Sequence, residues 1–228
     1  MARIDIRGSI IPNDYKWYYD WFGEDSTCPR DVQKIINEHP NEEHEVYINS
    51  PGGVINVGSE IYTMLRGHSP GIKIYITGQA CSAASVIAVA GYSEMSPTAL
   101  MMVHCVSSGI SGNHRDMEHM AEVLRTADRA LCSAYMSKTG MSEQEALEMM
   151  ERETWLNAQQ AVEMKLVDKI MFEQPKPEIM TAGLFTLPTK AQLDKAKMIV
   201  MTPEKNQALA NLKLLELEGA ARWEEKNI

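Results

Sequence analysis

The stretch Ile72–Gly91, IKIYITGQACSAASVIAVAG, organises the rest of the chain. Its first part, Ile72–Thr77, is β-branched and aromatic and is bounded by glycines, which predicts a strand. Its last part, Ser85–Gly91, is small and apolar and predicts a buried helix that ends at a glycine. Ser82 therefore lies on a strand-to-helix turn. It is either an ordinary N-cap or a nucleophile beside the amides of the first helical turn.

A similar strand–turn–helix signal precedes this stretch, and a further strand follows it. Glu45–Asn49 predicts a strand that runs into the turn Ser50–Gly53, and Val57–Leu65 then predicts a helix. A further apolar strand, Ala99–Val103, ends at His104. Strands and helices that alternate at these lengths indicate a layered α/β domain.

The N-terminal segment gives weaker signals. Ile4–Ile6 and Ser9–Ile11 predict two short strands, one on each side of Gly8. Tyr15–Phe22 is rich in aromatic residues and is compatible with a loop or with a surface that faces a partner. Pro29–Glu38 predicts a helix, because its apolar residues recur at helical spacing after a proline in the first turn.

The chain changes in character towards its C-terminus. Residues 113–140 come before the change and predict one long amphipathic helix, with Asn113 as its cap. After Phe172, prolines indicate a linker that stays irregular as far as Pro188, and Ala191–Val200 and Glu204–Trp223 are helix-prone. We therefore predict one domain over residues 1–174 and a linker with a helical C-terminal extension over residues 175–228.

Composition disfavours several classes of function. The net charge of −9 argues against nucleic acid as a partner, because phosphate binding requires clustered Lys and Arg. No apolar run reaches the roughly 18 residues of a membrane span, and the first residues lack the apolar core of a signal peptide. The four cysteines lack metal-ligand spacing. We therefore expect a cytoplasmic protein with reduced thiols, no metal site and no membrane contact.

His104 is the best candidate for a base that would activate Ser82. A serine hydroxyl needs an adjacent base to act as a nucleophile at neutral pH, and histidine suits this task. Among the six histidines, His104 is the one that ends an apolar strand, although a buried structural histidine is the alternative. We expect the other five to be solvent-exposed: His39, His44, His68, His114 and His119.

Two adjacent glycines provide a second feature of the predicted site. Gly52 and Gly53 carry no side chain, so the backbone of their turn can approach a ligand closely. If the two strands are neighbours, the amides near Gly53 and Ala83 converge and form an oxyanion hole. Each donor of such a hole is worth about 3–4 kcal/mol of barrier. An ordinary proline-glycine turn is the alternative.

Several segments of the chain resemble ClpP-type serine proteases. They are YINSPGGVI at 47–55, GQACS at 78–82, MMVH at 101–104 and WLNA at 155–158. The resemblance covers about residues 3–172. It implies a ClpP/crotonase-like layered α/β fold built from repeated β-β-α units, with Ser82 as the nucleophile and His104 as the base.

The third member of the implied triad is an acid that orients the histidine. The resemblance places Glu153 where the family usually has aspartate, and Glu151 and Asp168 are the alternatives. Thr154 follows where the family commonly has an arginine that takes part in contacts between rings. The resemblance implies a homo-oligomer, either a ring or stacked rings. The threonine argues against the family's particle of two rings and fourteen subunits.

The resemblance also suggests a substrate and partners. The loop after the histidine is rich in serine and glycine, and Ser108, Gly109 and Ile110 are its candidates for pairing with an extended peptide. The long C-terminal extension and the Glu-Thr-Trp-Leu-Asn-Ala segment resemble ClpP-related proteases of tailed bacteriophages and prophages, which serve head maturation. We therefore expect a serine endopeptidase that needs no cofactor and cuts scaffold or capsid precursors.

Other functions remain open at this point. The chain could work with an ATP-dependent AAA+ unfoldase in protein degradation. The same fold hosts crotonase-type acyl-CoA hydratases and isomerases, which would not need Ser82. A non-catalytic subunit is a third possibility, although intact Ser82 and His104 oppose it. A cysteine nucleophile, Cys81 or Cys105, is the alternative to the serine.

Overall fold

The computed structural model describes residues 1–173 and 189–200, with side chains as far as residue 195. The chain divides into two units, Met1–Gln174 and Pro175–Ile228. The described strands are β1 (Ala2–Ile10), β2 (Ser26–Thr27), β3 (His44–Gly53), β4 (Ile72–Cys81), β5 (Tyr92–Met95), β6 (Leu100–Val103), β7 (Thr154–Asn157) and β8 (Lys169–Ile170). The described α-helices are α1 (Lys16–Phe22), α2 (Pro29–Glu38), α3 (Ile55–Arg66), α4 (Ala83–Ala88), α5 (His114–Thr139), α6 (Glu143–Glu151), α7 (Ala158–Glu163) and α8 (Lys190–Val200).

An eight-stranded sheet forms the centre of the first unit. Six strands run in the order β2-β1-β3-β4-β5-β8, and every neighbouring pair in this row is parallel. β6 pairs parallel with the last residues of β4, and β7 pairs antiparallel with β6. Helices connect parallel strands, as in β3–α3–β4. The predicted layered α/β class is confirmed, and the structure shows that its sheet is mainly parallel.

One face of this sheet carries the core. Alternate residues of β1, β3 and β4 are buried, because successive side chains of a strand point to opposite faces. Helices α2, α3 and α4 pack against these strands and against one another. This packing fixes the carboxyl ends of β3 and β4 side by side. The buried side chains of the layer include Ile4, Ile6, Val46, Ile48, Ile74 and Ile76.

The structure differs from the prediction at Gly8. In place of two short strands, β1 is continuous, and its pairing register with β3 shifts between Arg7 and Ser9. Gly8 has a φ of 61°, and a Cβ at this position would lie 1.7 Å from the carbonyl oxygen of Asp25. The glycine is thus the site of a bulge within one strand, whereas the sequence alone suggested a strand boundary.

Two segments that the sequence left open are partly described. Tyr15 ends a short 3₁₀-helix (Asn13–Tyr15), and α1 follows it with exposed aromatic side chains. Of the predicted C-terminal extension, the structure describes residues 189–200, which contain α8. Residues 174–188 and 201–228 lie outside the described part. No helix within the described part is long and apolar enough to cross a membrane.

His44 corrects the expectation that five histidines are exposed. It begins β3, is fully buried, and neither of its ring nitrogens has a hydrogen-bond partner among the described residues. Its ring stacks on that of His68 at a centroid distance of 4.3 Å. His114 and His119 are exposed, and His39 and His68 are half-buried. The prediction for His44 was wrong because its neighbours in sequence are acidic, whereas the strand period directs its side chain inward.

Candidate active site

Ser82 occupies the bend between β4 and α4. Its φ of 56° and ψ of −124° match the first central position of a type II′ turn, which favours glycine. Such a conformation costs a serine about 1–3 kcal/mol and persists only where surrounding contacts enforce it. Its N–H donates to the carbonyl oxygen of Met102 at 2.9 Å, which ties the bend to β6. Within the described residues, the Ser82 side chain makes no capping hydrogen bond to α4, which disfavours the simple N-cap.

His104 directly follows β6 and approaches the same point from the neighbouring strand. Cys81 pairs with Met102, so the parallel strands β4 and β6 end next to each other. His104 is half-buried, and its Nε2 lies 2.8 Å from Oγ of Ser82, which is a hydrogen-bonding distance. An imidazole that accepts this hydrogen bond is positioned to take the serine proton, as a general base must.

The glycine turn at the end of β3 lies against the bend that carries Ser82. A Cβ on Gly52 would lie 2.7 Å from Cβ of Ser82 and 3.1 Å from the amide nitrogen of Ala83. The φ of Gly52 is 99°, so both space and conformation require glycine there. Ala83 is the first residue of α4, so its N–H has no partner within the helix. The backbones of Gly52–Gly53 and Ala83 are thus side by side.

A cavity of about 250 Å³ opens beside the serine and the histidine. Both turns, the segment after β6 and helix α5 contribute to its wall, which mixes polar and apolar groups. Among the described residues, no group of three or more His, Cys, Asp or Glu side chains is placed to hold a metal ion. The lining residues are Gly53, Val54, Ile55, Ser82, His104, Cys105, Val106, Ser107, Leu131 and Tyr135.

Glu153 is exposed, and among the described residues its carboxylate makes no hydrogen bond to His104. The antiparallel register of β6 and β7 matches Val103 with Thr154, so its next step would set Glu153 opposite His104. Glu153 itself lies outside the strand pairing, with a φ of 47°. Its Oε1 accepts a hydrogen bond from Nε1 of Trp155 at 3.3 Å. In the structure, the carboxylate of Glu153 therefore bonds to the indole of Trp155, and the strand pairing ends one residue before it.

The two alternative acids lie in other settings. Glu151 is exposed at the end of α6. Asp168 accepts hydrogen bonds from the backbone N–H of Ser93 at 2.7 Å and from Nζ of Lys138. Asp168 thus holds together β5, α5 and the segment that precedes β8.

The loop after β6 contains the residues predicted to bind substrate. Its start is anchored by Val106, whose N–H donates to Oδ1 of Asp128 on α5 at 2.7 Å. Ser107 lines the cavity, whereas Ser108–Ile110 are exposed and belong to no described strand. These three residues are accessible to a substrate but do not form the cavity wall.

Comparison with known proteins identifies the family. The family model described as Clp protease matches residues 32–174. The chain belongs to the Clp protease family. Membership of this family supports a serine peptidase. Among solved structures, the chain is similar to a point mutant of ClpP1 from Listeria monocytogenes, with a TM-score of 0.61 and 20% sequence identity. That similarity covers 75% of this chain and 92% of the Listeria chain, and it confirms the ClpP-like fold.

The cysteines beside the site of this Clp protease are poor nucleophiles. Burial raises the pKa of Cys81. Burial, together with the neighbouring Asp128 carboxylate, raises the pKa of Cys105 to about 11. A cysteine attacks as its thiolate, which is scarce at neutral pH when the pKa is raised. The geometry and the thiol chemistry therefore both favour Ser82 over the cysteine alternative.

Sequence patterns did not single out three side chains that shape the site of this Clp protease. Leu131 and Tyr135 of α5 line the cavity, and Ser85 of α4 hydrogen-bonds the carbonyl oxygen of Ser82. The spacing of Leu131 and Tyr135 places them on one face of a helix. This stripe was visible in the sequence, but nothing in it indicates which element the helix packs against.

Proposed function

We propose that this protein is a serine endopeptidase in which Ser82 is the nucleophile and His104 the general base. The observation that carries the proposal is the 2.8 Å separation of Oγ of Ser82 and Nε2 of His104. It occurs on a strained strand-to-helix bend that faces a cavity. The strained backbone at Ser82 lowers the stability of the fold. The same conformation projects the serine hydroxyl to a place that a substrate can reach.

In the proposed reaction, Nε2 of His104 accepts the hydroxyl proton as Oγ of Ser82 attacks the carbonyl carbon of the peptide bond. The N–H groups of Gly53 and Ala83 stabilise the resulting oxyanion. His104 then gives the proton to the leaving amine, the C–N bond breaks, and an acyl-enzyme remains. His104 next takes a proton from water, the hydroxide attacks the ester, and the proton returns to Ser82 as the acid is released.

We assign Glu153 as the acid of the triad. Its place in the sequence supports this, because Glu153 directly precedes Thr154, which pairs with Val103, the residue before His104. We propose that the carboxylate turns from Nε1 of Trp155 to Nδ1 of His104 when substrate binds. Catalytic hydrogen bonds often form or tighten only in the complex with substrate.

We further propose a role in phage or prophage head maturation, carried out by residues 1–174 in a homo-oligomer. The segment Glu153–Ala158 and the length of the chain beyond residue 174 support this narrower role. The substrate would be an extended segment of a scaffold or capsid precursor. The exposed backbone of Ser108–Ile110 would pair with it as an added strand.

Labelling with a fluorophosphonate probe tests the chemistry. The wild-type protein should be labelled at Ser82, and Ser82→Ala should lose both labelling and peptide cleavage. A Ser82→Ala protein that hydrates or isomerises an acyl-CoA substrate as fast as the wild type would contradict the proposal and support the crotonase-type alternative.

Incubation with purified scaffold and capsid precursors tests the narrower role. We expect discrete fragments to form without ATP and without an unfoldase, because maturation cuts precursors at defined positions. Cleavage that requires both ATP and an AAA+ unfoldase would instead favour protein degradation.

A further inference from the structure

A buried chain of hydroxyl groups connects helix α5 to the bend at Ser82. Oγ of Ser85 donates to the carbonyl oxygen of Ser82 at 2.6 Å and lies 2.8 Å from the hydroxyl of Tyr135. Ser85 is fully buried and Tyr135 is 2% exposed. A serine hydroxyl has one hydrogen, so Tyr135 is the donor to Ser85. Burial raises the pKa of Tyr135, which keeps its phenol hydrogen in place.

The carbonyl oxygen of Ser82 and the N–H of Ala83 belong to one peptide unit. This peptide bond is trans, so its C=O and N–H point in opposite directions. The same carbonyl oxygen also accepts the backbone N–H of Ser85 at 2.9 Å. Two hydrogen bonds from Ser85 therefore hold the carbonyl on one side and aim the Ala83 N–H to the other. Ala83 lies beside the glycine turn, where a Cβ on Gly52 would be 3.1 Å from its nitrogen.

We propose that Ser85 and Tyr135 are positioning residues that fix the direction of the Ala83 N–H as an oxyanion donor. This inference rests on the proposed function, in which that N–H stabilises the tetrahedral intermediate. Tyr135 fixes the rotation of the Ser85 hydroxyl, and Ser85 fixes the peptide unit. The contacts counteract the tendency of the strained Ser82 backbone to relax, which would turn the amide away.

Two single variants and their combination test this arrangement. Ser85→Ala should lower kcat about tenfold with KM unchanged, which is part of the 10²–10³-fold loss typical of a missing oxyanion donor. Tyr135→Phe should lower kcat about threefold, because the Ser85 hydroxyl remains but loses its fixed orientation. In the double variant, Tyr135→Phe should add nothing to the loss from Ser85→Ala, because Tyr135 acts through Ser85.

A transition-state analogue separates positioning from a general structural effect. A peptide aldehyde forms a tetrahedral adduct with Ser82 whose oxygen occupies the oxyanion site. Its affinity should fall in Ser85→Ala by the same factor as kcat/KM, whereas the affinity of the matching product peptide should not change. Ser93→Ala is the matched control, since Ser93 is fully buried and its hydroxyl lies 3.4 Å from Asp168 at the edge of β5. This control should lose stability but keep kcat.

The outcomes are distinguishable. A Ser85→Ala protein with the kcat of Ser93→Ala, or with unchanged aldehyde affinity, would overturn the positioning role and leave the proposed function intact. A wild-type protein that neither cleaves peptides nor labels at Ser82 would overturn the proposed function itself. If Ser85→Ala fails to fold, Tyr135→Phe decides, because it preserves the packed ring. Unchanged kcat and aldehyde affinity in that variant would then overturn the inference.

Discussion

His104 and His44 lie at opposite ends of the same sheet, and their surroundings differ. His104 follows β6 at the carboxyl ends of the parallel strands, where its Nε2 meets Oγ of Ser82. His44 begins β3 at the amino ends, where it is fully buried and neither ring nitrogen has a partner in the described part of the chain. Ligand sites of parallel sheets form at the carboxyl ends of the strands. The contrast indicates that one histidine is placed for chemistry and the other for packing.

The largest difference between the two histidines should appear in activity. His104→Ala should lower kcat/KM about 10⁴-fold, because Ser82 then has no base. His44→Leu should change kcat/KM by less than about twofold, since distant sites act independently. Steady-state hydrolysis of a peptide and the rate of fluorophosphonate labelling measure both. A folded His44→Leu protein as inactive as His104→Ala would remove the distinction between the two ends of the sheet.

A substitution of Glu153 tests its proposed contact with Nδ1 of His104, the ring nitrogen that does not contact Ser82. Glu153→Gln keeps the size of the side chain but removes the charge that would stabilise the imidazolium, so kcat should fall about 10³-fold. Glu151→Gln is the matched control and should stay within about twofold of the wild type. If the Glu151 variant instead shows the large loss, the triad acid is Glu151 and the proposed movement of Glu153 is wrong.

The sequence predicts the carboxyl end of the sheet better than the amino end. Short strands followed by glycine or serine turns indicate that Gly52 and Ser82 end parallel strands, and His104 ends the next one. The sequence predicts that β3 begins at Glu45, so its period of two does not reach His44, which has polar neighbours in sequence. Which groups meet Glu153 and Tyr135 depends on strand register and helix packing, and neither can be derived from a local pattern. The positions of Gly52, Ser82 and His104 at strand ends could therefore be predicted from the sequence. The contacts between elements that are distant in sequence could not.

A substitution of Gly52 tests how tightly the turns are packed at the carboxyl ends of the parallel strands. Gly52→Ala should destabilise the protein by about 2–4 kcal/mol, because the new Cβ meets backbone atoms as well as an unfavourable φ. Gly23→Ala is the control: Gly23 also has a positive φ, of 68°, but nothing lies within 4 Å of the added Cβ. It should cost only about 1 kcal/mol. Urea denaturation measures both, and equal losses would show that the turn at Gly52 can move away from Ser82.

The smallest expected effect concerns His44 and the pH dependence of stability. Burial, reinforced by the neighbouring His68, lowers the pKa of His44 below its ordinary value of 6.5. At pH values between 6.5 and the lower pKa of the folded state, His44 binds a proton in the unfolded chain but not in the folded protein. The contribution of His44 to stability is therefore complete above about pH 6.5 and declines on acidification, by up to about 1.4 kcal/mol per pH unit.

His44→Leu should flatten this acid decline, and His119→Gln, at an exposed position on α5, should leave it unchanged. Urea denaturation of the three proteins at about pH 7.5, 6 and 5 measures the slopes. Equal slopes in the wild type and His44→Leu would mean that the buried imidazole takes up its proton as readily as it does in the unfolded chain. His44 would then have to reach solvent or an acidic partner on acidification, and the packing role assigned to the amino end of β3 would fail.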